Sequence, residues 1–290
     1  MRVILITGIS GSGKSIALRV LEDDGYFCID NLPVRFLQEV IGHLSESGAE
    51  RVAVAIDSRG GQALADLPSM VHGLGRFGHD VKVLFLDSRT DVLVQRYSET
   101  RRRHPLSAAV REGPPPTLTE SIESERELLA DLEEIGMSID TSDLHPNVLR
   151  NWVRDAVQSS RAALTVLFES FAYKTGVPLD ADLVFDVRCL PNPFYQAELR
   201  PLSGRDAPVI AYLDSIDAVQ RMVDDITRFV ETWLPHYVLE NRSYLTVAVG
   251  CTGGQHRSVY CVEKLAAHFR DKEQVLIRHR GIAMREQAAR

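Results

Sequence analysis

Apolar runs that alternate with amphipathic segments set the pattern of the first half of the chain. Continuous runs of Val, Ile and Leu bounded by turns are typical of strands buried on both faces, and helices between such strands favour a parallel sheet. This pattern predicts strands at 3–6, 25–30, 51–57, 81–87 and 138–143, the last at a sheet edge. Helical spacing of apolar residues predicts helices at 15–23, 34–44, 90–97, 120–135 and 147–159.

The second half of the chain repeats this alternation with strands and helices of its own. Its predicted strands are 164–170, 183–188, 244–250 and 274–278, and its predicted helices are 214–234 and 259–269. A length of 290 residues favours two domains, and the first half ends in a polar stretch near residues 158–162. We therefore expect one α/β domain over 1–158 and a second, smaller α/β domain over 159–290.

A glycine-rich loop joins the first predicted strand to the first predicted helix. Its sequence, Gly-x4-Gly-Lys-Ser, is the phosphate-binding pattern of P-loop proteins, and the strand and helix that the pattern requires flank it. Glycines keep Cβ atoms away from the phosphates, so that main-chain N–H groups can converge on them. The candidate nucleotide-binding residues are Gly8, Ile9, Ser10, Gly11, Ser12, Gly13, Lys14 and Ser15. The alternative is a glycine-rich turn without a ligand.

This loop predicts that the first domain is a P-loop NTPase domain with a kinase-like parallel sheet. Lys14 is expected to contact the β- and γ-phosphates of the nucleotide, and the Ser15 hydroxyl is expected to reach Mg²⁺. The helix that follows the loop directs the positive end of its dipole at the same negative charge.

Carboxylates stand at the ends of three predicted strands. Strand C-termini meet at the sheet edge that carries the glycine loop, which is where such sheets bind ligands. Asp57 and Asp87 are candidates for holding Mg²⁺ or its water, and Asp30 is a candidate for ordering a water or a substrate group. Asp57 ranks first because a turn and a cation follow it directly, in Ser58, Arg59 and Gly60. At least one of the three carboxylates is expected to be solvated and without a role.

Three consecutive arginines, Arg101–Arg103, follow the predicted helix at 90–97. Such a run is typical of the basic lid that closes over phosphates in small P-loop kinases, and Arg102 represents it as the candidate for a transition-state contact. The alternative is a solvated basic turn. The next predicted helix, 120–135, is acidic, and we interpret its carboxylates, including Glu125, as solvated.

A second glycine-rich loop lies between the predicted strand at 244–250 and the predicted helix at 259–269. Free main-chain N–H groups, a helix N-terminus and an arginine suit an anion. The candidate anion-binding residues are Cys251, Thr252, Gly253, Gly254, His256, Arg257 and Ser258. The spacing Cys-x5-Arg-Ser also occurs in cysteine-dependent phosphatases, where the loop lowers the pKa of the thiol. The remaining alternative is a tight turn with a buried cysteine.

Net charge and cysteine content indicate which partners and which cellular compartment the protein is expected to have. A formal net charge of −7 argues against a protein coated in nucleic acid, but a modest excess of cations near the C-terminus makes Arg278, Arg280 and Arg285 candidates for RNA contact. A solvated tail is the alternative. The four cysteines show no paired or zinc-binding spacing, and no secretory signal or membrane-spanning stretch is recognisable. We expect a cytoplasmic protein without a membrane partner.

Taken together, these motifs show that the chain closely resembles the RapZ/YvcJ family of bacterial P-loop proteins. The resemblance rests on segments spread over essentially the whole chain: 8–15, 30–33, 57–60, 85–87, 96–106, 181–193 and 250–259. It implies binding and slow hydrolysis of ATP and GTP through residues 8–15, with a guanine contact at 57–60. It also implies that the second domain holds a phosphorylated amino sugar around 250–258. In some proteobacterial members that domain binds small RNA as the adapter of an endoribonuclease, and such members resemble homo-oligomers.

We interpret the chain as a nucleotide-binding regulator with weak ATPase or GTPase activity that senses a sugar phosphate. Slow turnover is expected because no Gln or Glu stands in an obvious water-positioning place after the candidate Mg²⁺ strand. One alternative is a small-molecule P-loop kinase, supported by Lys14, the three carboxylates and the arginine run. The other is a phosphatase that uses Cys251 as its nucleophile.

Overall fold

The computed structural model describes residues 1–58, 64–108, 116–158, 164–239, 242 and 244–283. The chain divides into two compact units, Met1–Gln158 and Ser159–Arg290. Each unit is built around a parallel β-sheet with helices packed against it, so the predicted α/β class is confirmed for both.

The sheet of the first unit has, in the described residues, five strands that all pair in parallel. They are β1 (Arg2–Gly8), β2 (Phe27–Ile29), β3 (Arg51–Ala55), β4 (Asp80–Asp87) and β5 (Met137–Asp140). Their order is β2-β3-β1-β4-β5, so β5 lies at an edge as the sequence predicts. The strand that leads into the first glycine loop, β1, is therefore central and has β3 and β4 as its neighbours.

The helices of the first unit come between these strands, except for the last one, which follows β5. They are α1 (Lys14–Asp23), α2 (Leu37–Glu46), α3 (Leu67–Arg76), α4 (Thr90–Thr100), α5 (Leu118–Ile135) and α6 (Pro146–Gln158). Sequence analysis missed α3, whose two internal glycines, Gly73 and Gly75, weaken the helical signal. Reciprocal bonds between Thr117 and Glu120 form a capping box that fixes the start of α5.

The central strand β1 is covered on both faces. Successive side chains of a strand point to opposite sides of the sheet, so Val3 and Leu5 lie on one face and Ile4 and Ile6 on the other. All four side chains are fully buried. Continuous burial of this kind explains why the strand is an unbroken apolar run, and it holds the loop that follows β1 on a rigid support.

The second unit has, in the described residues, a four-stranded parallel sheet in the order β7-β8-β6-β9. The strands are β6 (Thr165–Ala172), β7 (Leu183–Asp186), β8 (Tyr244–Cys251) and β9 (Gln274–His279), and the helices are α7 (Ala207–Asp214), α8 (Asp217–Leu239) and α9 (Arg257–Phe269). The single helix predicted at 214–234 is wrong in its boundaries, because the chain turns at Ser215 between α7 and α8. Asp217, in the first turn of α8, favours a new helix start through the helix dipole.

None of the helices in the described ranges combines the length and the apolar composition that crossing a bilayer requires.

Candidate functional site

The first glycine loop turns the chain sharply from β1 into α1. Gly8, Gly11 and Gly13 have φ angles of +126°, +92° and +112°, in the region that L-residues rarely adopt. A Cβ atom at Gly8 would lie 2.0 Å from the main-chain oxygen of Leu86, so only glycine lets the loop pass this close to β4. Gly13 is the N-cap of α1, which places the loop at the positive end of that helix.

A cavity of about 460 Å³ opens over this loop. From the predicted nucleotide-binding set, its lining includes Ser10, Gly11, Gly13, Lys14 and Ser15. Of the rest, Ile9 and Ser12 are buried beneath the loop surface. The cavity thus brings these five residues of the loop together at one surface.

Two of the three candidate carboxylates reach the cavity. Asp30 and Asp57 line it, as the adjacency of β1, β3 and β2 requires. Asp87 has another partner: its carboxylate accepts from the Arg126 guanidinium at 3.1 and 3.3 Å. Ser58 is buried directly after Asp57, and the predicted residues Arg59 and Gly60 lie outside the described residues. The geometry therefore favours Asp57 over Asp87 as the oxygen ligand nearest the loop.

Cations converge on the same cavity. Lys14 donates to the carbonyl oxygen of Gly8 across the loop, and Arg102 and Arg103 contribute to the lining. Arg101 ends α4 with a φ of +51°, and the chain leaves the helix there. The two arginines that follow this turn therefore lie where an anion in the loop would need compensating charge.

Arg96 is a cavity residue that sequence analysis did not single out. Its guanidinium donates to the carbonyl oxygens of Gly11 at 3.1 Å and Thr141 at 2.6 Å. The Thr141 hydroxyl in turn donates to the carbonyl oxygen of Ser12 at 2.8 Å. These bonds tie the glycine loop to the end of β5, and only the folded chain brings the participating residues together.

The interpretation of Glu125 as a solvated carboxylate is wrong. Its side chain is completely buried and accepts hydrogen bonds from the Ser10 N–H at 2.8 Å and the Ser10 hydroxyl at 2.7 Å. The ring of His104 lies 3.0 Å away through Nε2. The helical spacing of α5 could have predicted this burial. Glu125 lies on the same face of the helix as the buried residues Ile122, Leu129 and Leu132.

Opposing influences act on the pKa of Glu125, and their sum lowers it to about 2. Burial is the largest influence and by itself raises the pKa. The bond from His104, the charge of Lys14, the hydroxyl of Ser58 and the N–H of Ser10 together outweigh it. Glu125 is therefore ionised at neutral pH and fixed beneath the loop.

The second glycine loop leads from β8 into α9. Thr252 and Gly253 are exposed, and a Cβ atom at Gly253 would meet only open space, so this part of the loop is accessible. Gly254 has a φ of +64°. Cys251 and Ser258 are buried, with Sγ and Oγ 3.2 Å apart.

The pKa of the Cys251 thiol is lowered. Burial is the largest influence and raises it, but the bonds from Ser258 and Gly254 and the charge of Arg257 outweigh burial. Cys251 as a whole is nevertheless only 3% exposed. A nucleophile must reach its substrate, so this degree of burial gives no support to the phosphatase alternative.

Arg257, a predicted anion-binding residue, lies inward in this structure and directs one guanidinium nitrogen at the Thr252 hydroxyl, at 3.4 Å. Its guanidinium is buried and donates to the main-chain oxygens of Arg188 at 2.8 Å and Leu190 at 2.9 Å. His256 is likewise buried, with Nε2 at 3.0 Å from the carbonyl oxygen of Leu199. Both side chains hold neighbouring loops in place instead of facing solvent.

Arg188 presents a half-exposed cation near the second glycine loop. Its guanidinium lies 3.9 Å from the centre of the Tyr173 ring and 2.7 Å from the Asp186 carboxylate, and about half of the side chain is exposed. Asp186 pairs in register with Gly250, immediately before the glycine loop. Sequence analysis missed Arg188, because its position beside residues 250–253 arises only when β7 pairs with β8.

The expected basic patch near the C-terminus is also corrected. Arg278 and Arg280 are each only 4% exposed. Arg280 lies 3.3 Å from Glu169 and 3.5 Å from Asp180, and Arg278 lies 3.9 Å from Asp180. These buried carboxylates engage the cations, so neither arginine offers charge to an RNA backbone. Arg285 lies outside the described residues.

A central parallel strand that feeds a glycine loop at the N-terminus of a helix defines the first unit as a P-loop domain. Residues 1–161 match the family profile described as RapZ-like N-terminal domain, and residues 164–283 match the RapZ C-terminal domain. The chain therefore belongs to the RapZ family, which confirms the resemblance seen in the sequence.

Similar proteins span nearly the whole chain. A nucleotide-binding protein of Bordetella pertussis is 58% identical over 281 residues, which cover 97% of both chains. A nucleotide-binding protein of Aromatoleum aromaticum is 55% identical over 287 residues, which cover 98% of this chain and 96% of that protein. Among solved structures, a shikimate kinase of Acinetobacter baumannii in complex with shikimate aligns with a TM-score of 0.35 and 19% identity, covering 53% of this chain and 90% of that one.

Proposed function

We propose that the protein is a nucleotide-binding regulator that binds ATP or GTP in the 460 Å³ cavity and hydrolyses it slowly. One observation carries this proposal: the glycine loop at the N-terminus of α1 shares its cavity with Lys14, Arg102 and Arg103. Main-chain N–H groups, a helix dipole and several cations in one cavity are the features that recognise a polyphosphate.

Each residue type in the cavity has a physical role toward a bound triphosphate. Lys14 would neutralise the β- and γ-phosphates, and Arg102 would offset the charge that develops on the transferred phosphoryl group. Ser15 and Asp57 both line the cavity and supply the oxygen donors that Mg²⁺ prefers, so these residues fit a magnesium ion. When bound, that ion would supply further charge neutralisation at the phosphates.

Slow turnover follows from the state of the carboxylate beneath the loop. Glu125 already accepts from Ser10 and His104, so its oxygens are occupied and it is not placed to activate a water molecule. Rate enhancement would then come mainly from charge neutralisation, with Asp30 left as the cavity carboxylate to order a water. A turnover number of many per second would contradict this account.

The test is equilibrium binding of ATP, GTP, ADP and GDP to the full-length protein and to Lys14→Ala. Loss of the Lys14 ammonium should weaken triphosphate affinity on the order of tenfold to hundredfold. Lys174→Ala removes an exposed lysine of the second unit and is the matched control. Unchanged triphosphate affinity in Lys14→Ala would refute the proposal. Phosphate transfer to an added acceptor far above the hydrolysis rate would indicate the kinase alternative instead.

We propose that the second domain binds a phosphorylated amino sugar at the exposed part of the 251–258 loop. Thr252 and Gly253 offer polar groups near the N-terminus of α9, where an anion is favoured. Arg188 adds a half-exposed cation, and Asp186 adds a carboxylate that suits an amino or hydroxyl group. Arg257 supports the proposal indirectly, because it fixes the main chain on both sides of residue 189.

Calorimetric titration with glucosamine 6-phosphate, glucose 6-phosphate and glucosamine tests this site. Preference for the phosphorylated amino sugar over both partial ligands is expected, and Arg188→Ala should weaken its binding on the order of tenfold. Arg205→Ala removes a more exposed cation of the same unit, which forms an ion pair with Glu263, and it serves as the control. Equal binding of all three ligands, or none, would contradict the proposal.

The family resemblance further suggests small RNA, an endoribonuclease and other copies of the chain as partners. Because Arg278 and Arg280 are buried, any RNA contact has to use other cations. Gel-shift titration with small RNA and sedimentation of the purified protein are the corresponding measurements. An unshifted RNA would exclude the RNA partner, and a monomeric sedimentation coefficient would exclude self-association.

A further inference from the structure

One buried carboxylate contacts both the phosphate-binding loop and the segment that follows the arginine run. Glu125 Oε2 accepts from the Ser10 N–H at 2.8 Å and lies 3.0 Å from His104 Nε2. Neither the Glu125 nor the His104 side chain is more than 1% exposed. The contact is thus shielded from water, where a charge-assisted hydrogen bond is strong.

The neighbours of His104 define the tautomer of its imidazole ring and therefore which ring nitrogen donates to Glu125. The Leu106 N–H donates to Nδ1 at 3.2 Å, so Nδ1 is an acceptor and the ring proton is on Nε2. Nε2 therefore donates to Glu125. Two further bonds, from the Ser107 N–H at 3.1 Å and its hydroxyl at 2.7 Å, hold the His104 carbonyl. The ring also packs against Tyr97, with centroids 5.4 Å apart.

The arginines have little freedom between their two attachments. α4 ends at Arg101, and His104 is held three residues later. Consecutive Cα atoms are about 3.8 Å apart, so Arg103 and Arg102 start within roughly 4 and 8 Å of the His104 Cα. Both arginines line the cavity. Their position over the loop therefore depends on where His104 is held.

We propose that His104 and Glu125 are positioning residues that hold Arg102 and Arg103 against the γ-phosphate and link their placement to the phosphate-binding loop through Ser10. This inference rests on the proposed nucleotide function. The proposal distinguishes two kinds of ligand. Loss of the His104–Glu125 pair should affect binding and hydrolysis of a triphosphate, but it should hardly affect binding of a diphosphate, which lacks the γ-phosphate. Glu125 and His104 touch no substrate, so their effect passes through the arginines.

The test is a double-mutant cycle between His104→Ala and the Arg102→Ala/Arg103→Ala variant. Triphosphate affinity, diphosphate affinity and single-turnover hydrolysis are measured for each protein. His104→Ala should lower the hydrolysis rate on the order of tenfold to hundredfold, as misplacement of a catalytic group does, with little change in diphosphate affinity. In the background that lacks both arginines, the same substitution should have no further effect.

Two further variants keep the test decisive. His104→Gln retains an N–H donor and should recover part of the lost rate; it also replaces the alanine variant if that protein does not fold. His72→Ala removes an exposed histidine of α3 and should behave as wild type. Multiplicative losses in the cycle, or equal losses for triphosphate and diphosphate, would overturn the inference. If the cycle gives such a result and Lys14→Ala still binds triphosphate normally, both the positioning role and the proposed nucleotide function are refuted. If Lys14→Ala loses triphosphate binding, only the positioning role is refuted.

Discussion

Replacement of Glu125 by Gln keeps the size of the buried side chain and removes its negative charge. In the folded protein the pKa of Glu125 is about 2, against an ordinary value of 4.5. One pKa unit corresponds to 1.36 kcal/mol, so the ionised carboxylate contributes on the order of 3 kcal/mol to the free energy of unfolding. Gln also turns an amide donor toward Ser10 or His104, which both donate, and leaves one of their N–H groups unsatisfied.

The pH dependence of this contribution has a definite sign. A pKa that folding lowers stabilises the protein above the unfolded-state value, and the contribution is lost as the pH falls through the folded-state value. The stabilisation by Glu125 should therefore be complete above pH 4.5 and decline toward pH 2. The difference between wild type and Glu125→Gln should shrink over the same interval.

The two tryptophans of the chain allow each unit to be followed separately. Trp152 lies buried in α6 of the first unit, and Trp233 lies in α8 of the second. In a Trp233→Phe background, urea unfolding followed by Trp152 fluorescence reports the first unit alone. Glu125→Gln should lower its free energy of unfolding by about 3 kcal/mol at pH 7.

Glu123→Gln provides the matched control. Glu123 is exposed on the same helix, and its replacement should change stability by less than about 0.5 kcal/mol. Equal unfolding midpoints for the two variants at pH 7 would refute the reasoning. A loss in Glu125→Gln that stays constant down to pH 3 would show that its charge is not the source.

Two further predictions concern other parts of the chain. Gly8→Ala places a Cβ atom 2.0 Å from a main-chain oxygen of β4 and should destabilise the first unit by at least about 2 kcal/mol in the same urea assay. Gly42→Ala places its Cβ atom in open space on α2 and should stabilise the first unit by about 0.5–1 kcal/mol. Burial lowers the pKa of His279 in the folded protein, despite its contact with Glu263. The His279 ring therefore binds a proton more readily in the unfolded chain than in the folded protein. The second unit should therefore lose stability as the pH falls through the unfolded-state pKa, and His279→Gln should abolish this dependence in Trp233 fluorescence.

Local pattern was sufficient for the α/β class of both units and for recognising the first glycine loop. Buried parallel strands are unbroken apolar runs because both faces of the sheet are covered, and such runs predicted β1, β3 and β4 without any knowledge of their partners. The glycine loop at 8–15 was equally readable, since phosphate recognition depends on the backbone angles of adjacent residues. The carboxylates at strand ends could be ranked only weakly, because Asp57 and Asp87 look alike until their neighbours are known.

The surroundings of the charged side chains were decided by tertiary structure alone. Glu125 was interpreted as solvated, yet its partner Ser10 is 115 residues away in the chain. Arg257 and Arg280 looked like anion and RNA contacts, but carbonyl oxygens and buried carboxylates engage them. A sequence records the charge of a side chain, whereas its solvation and its pKa depend on which distant groups the fold brings within a few ångströms.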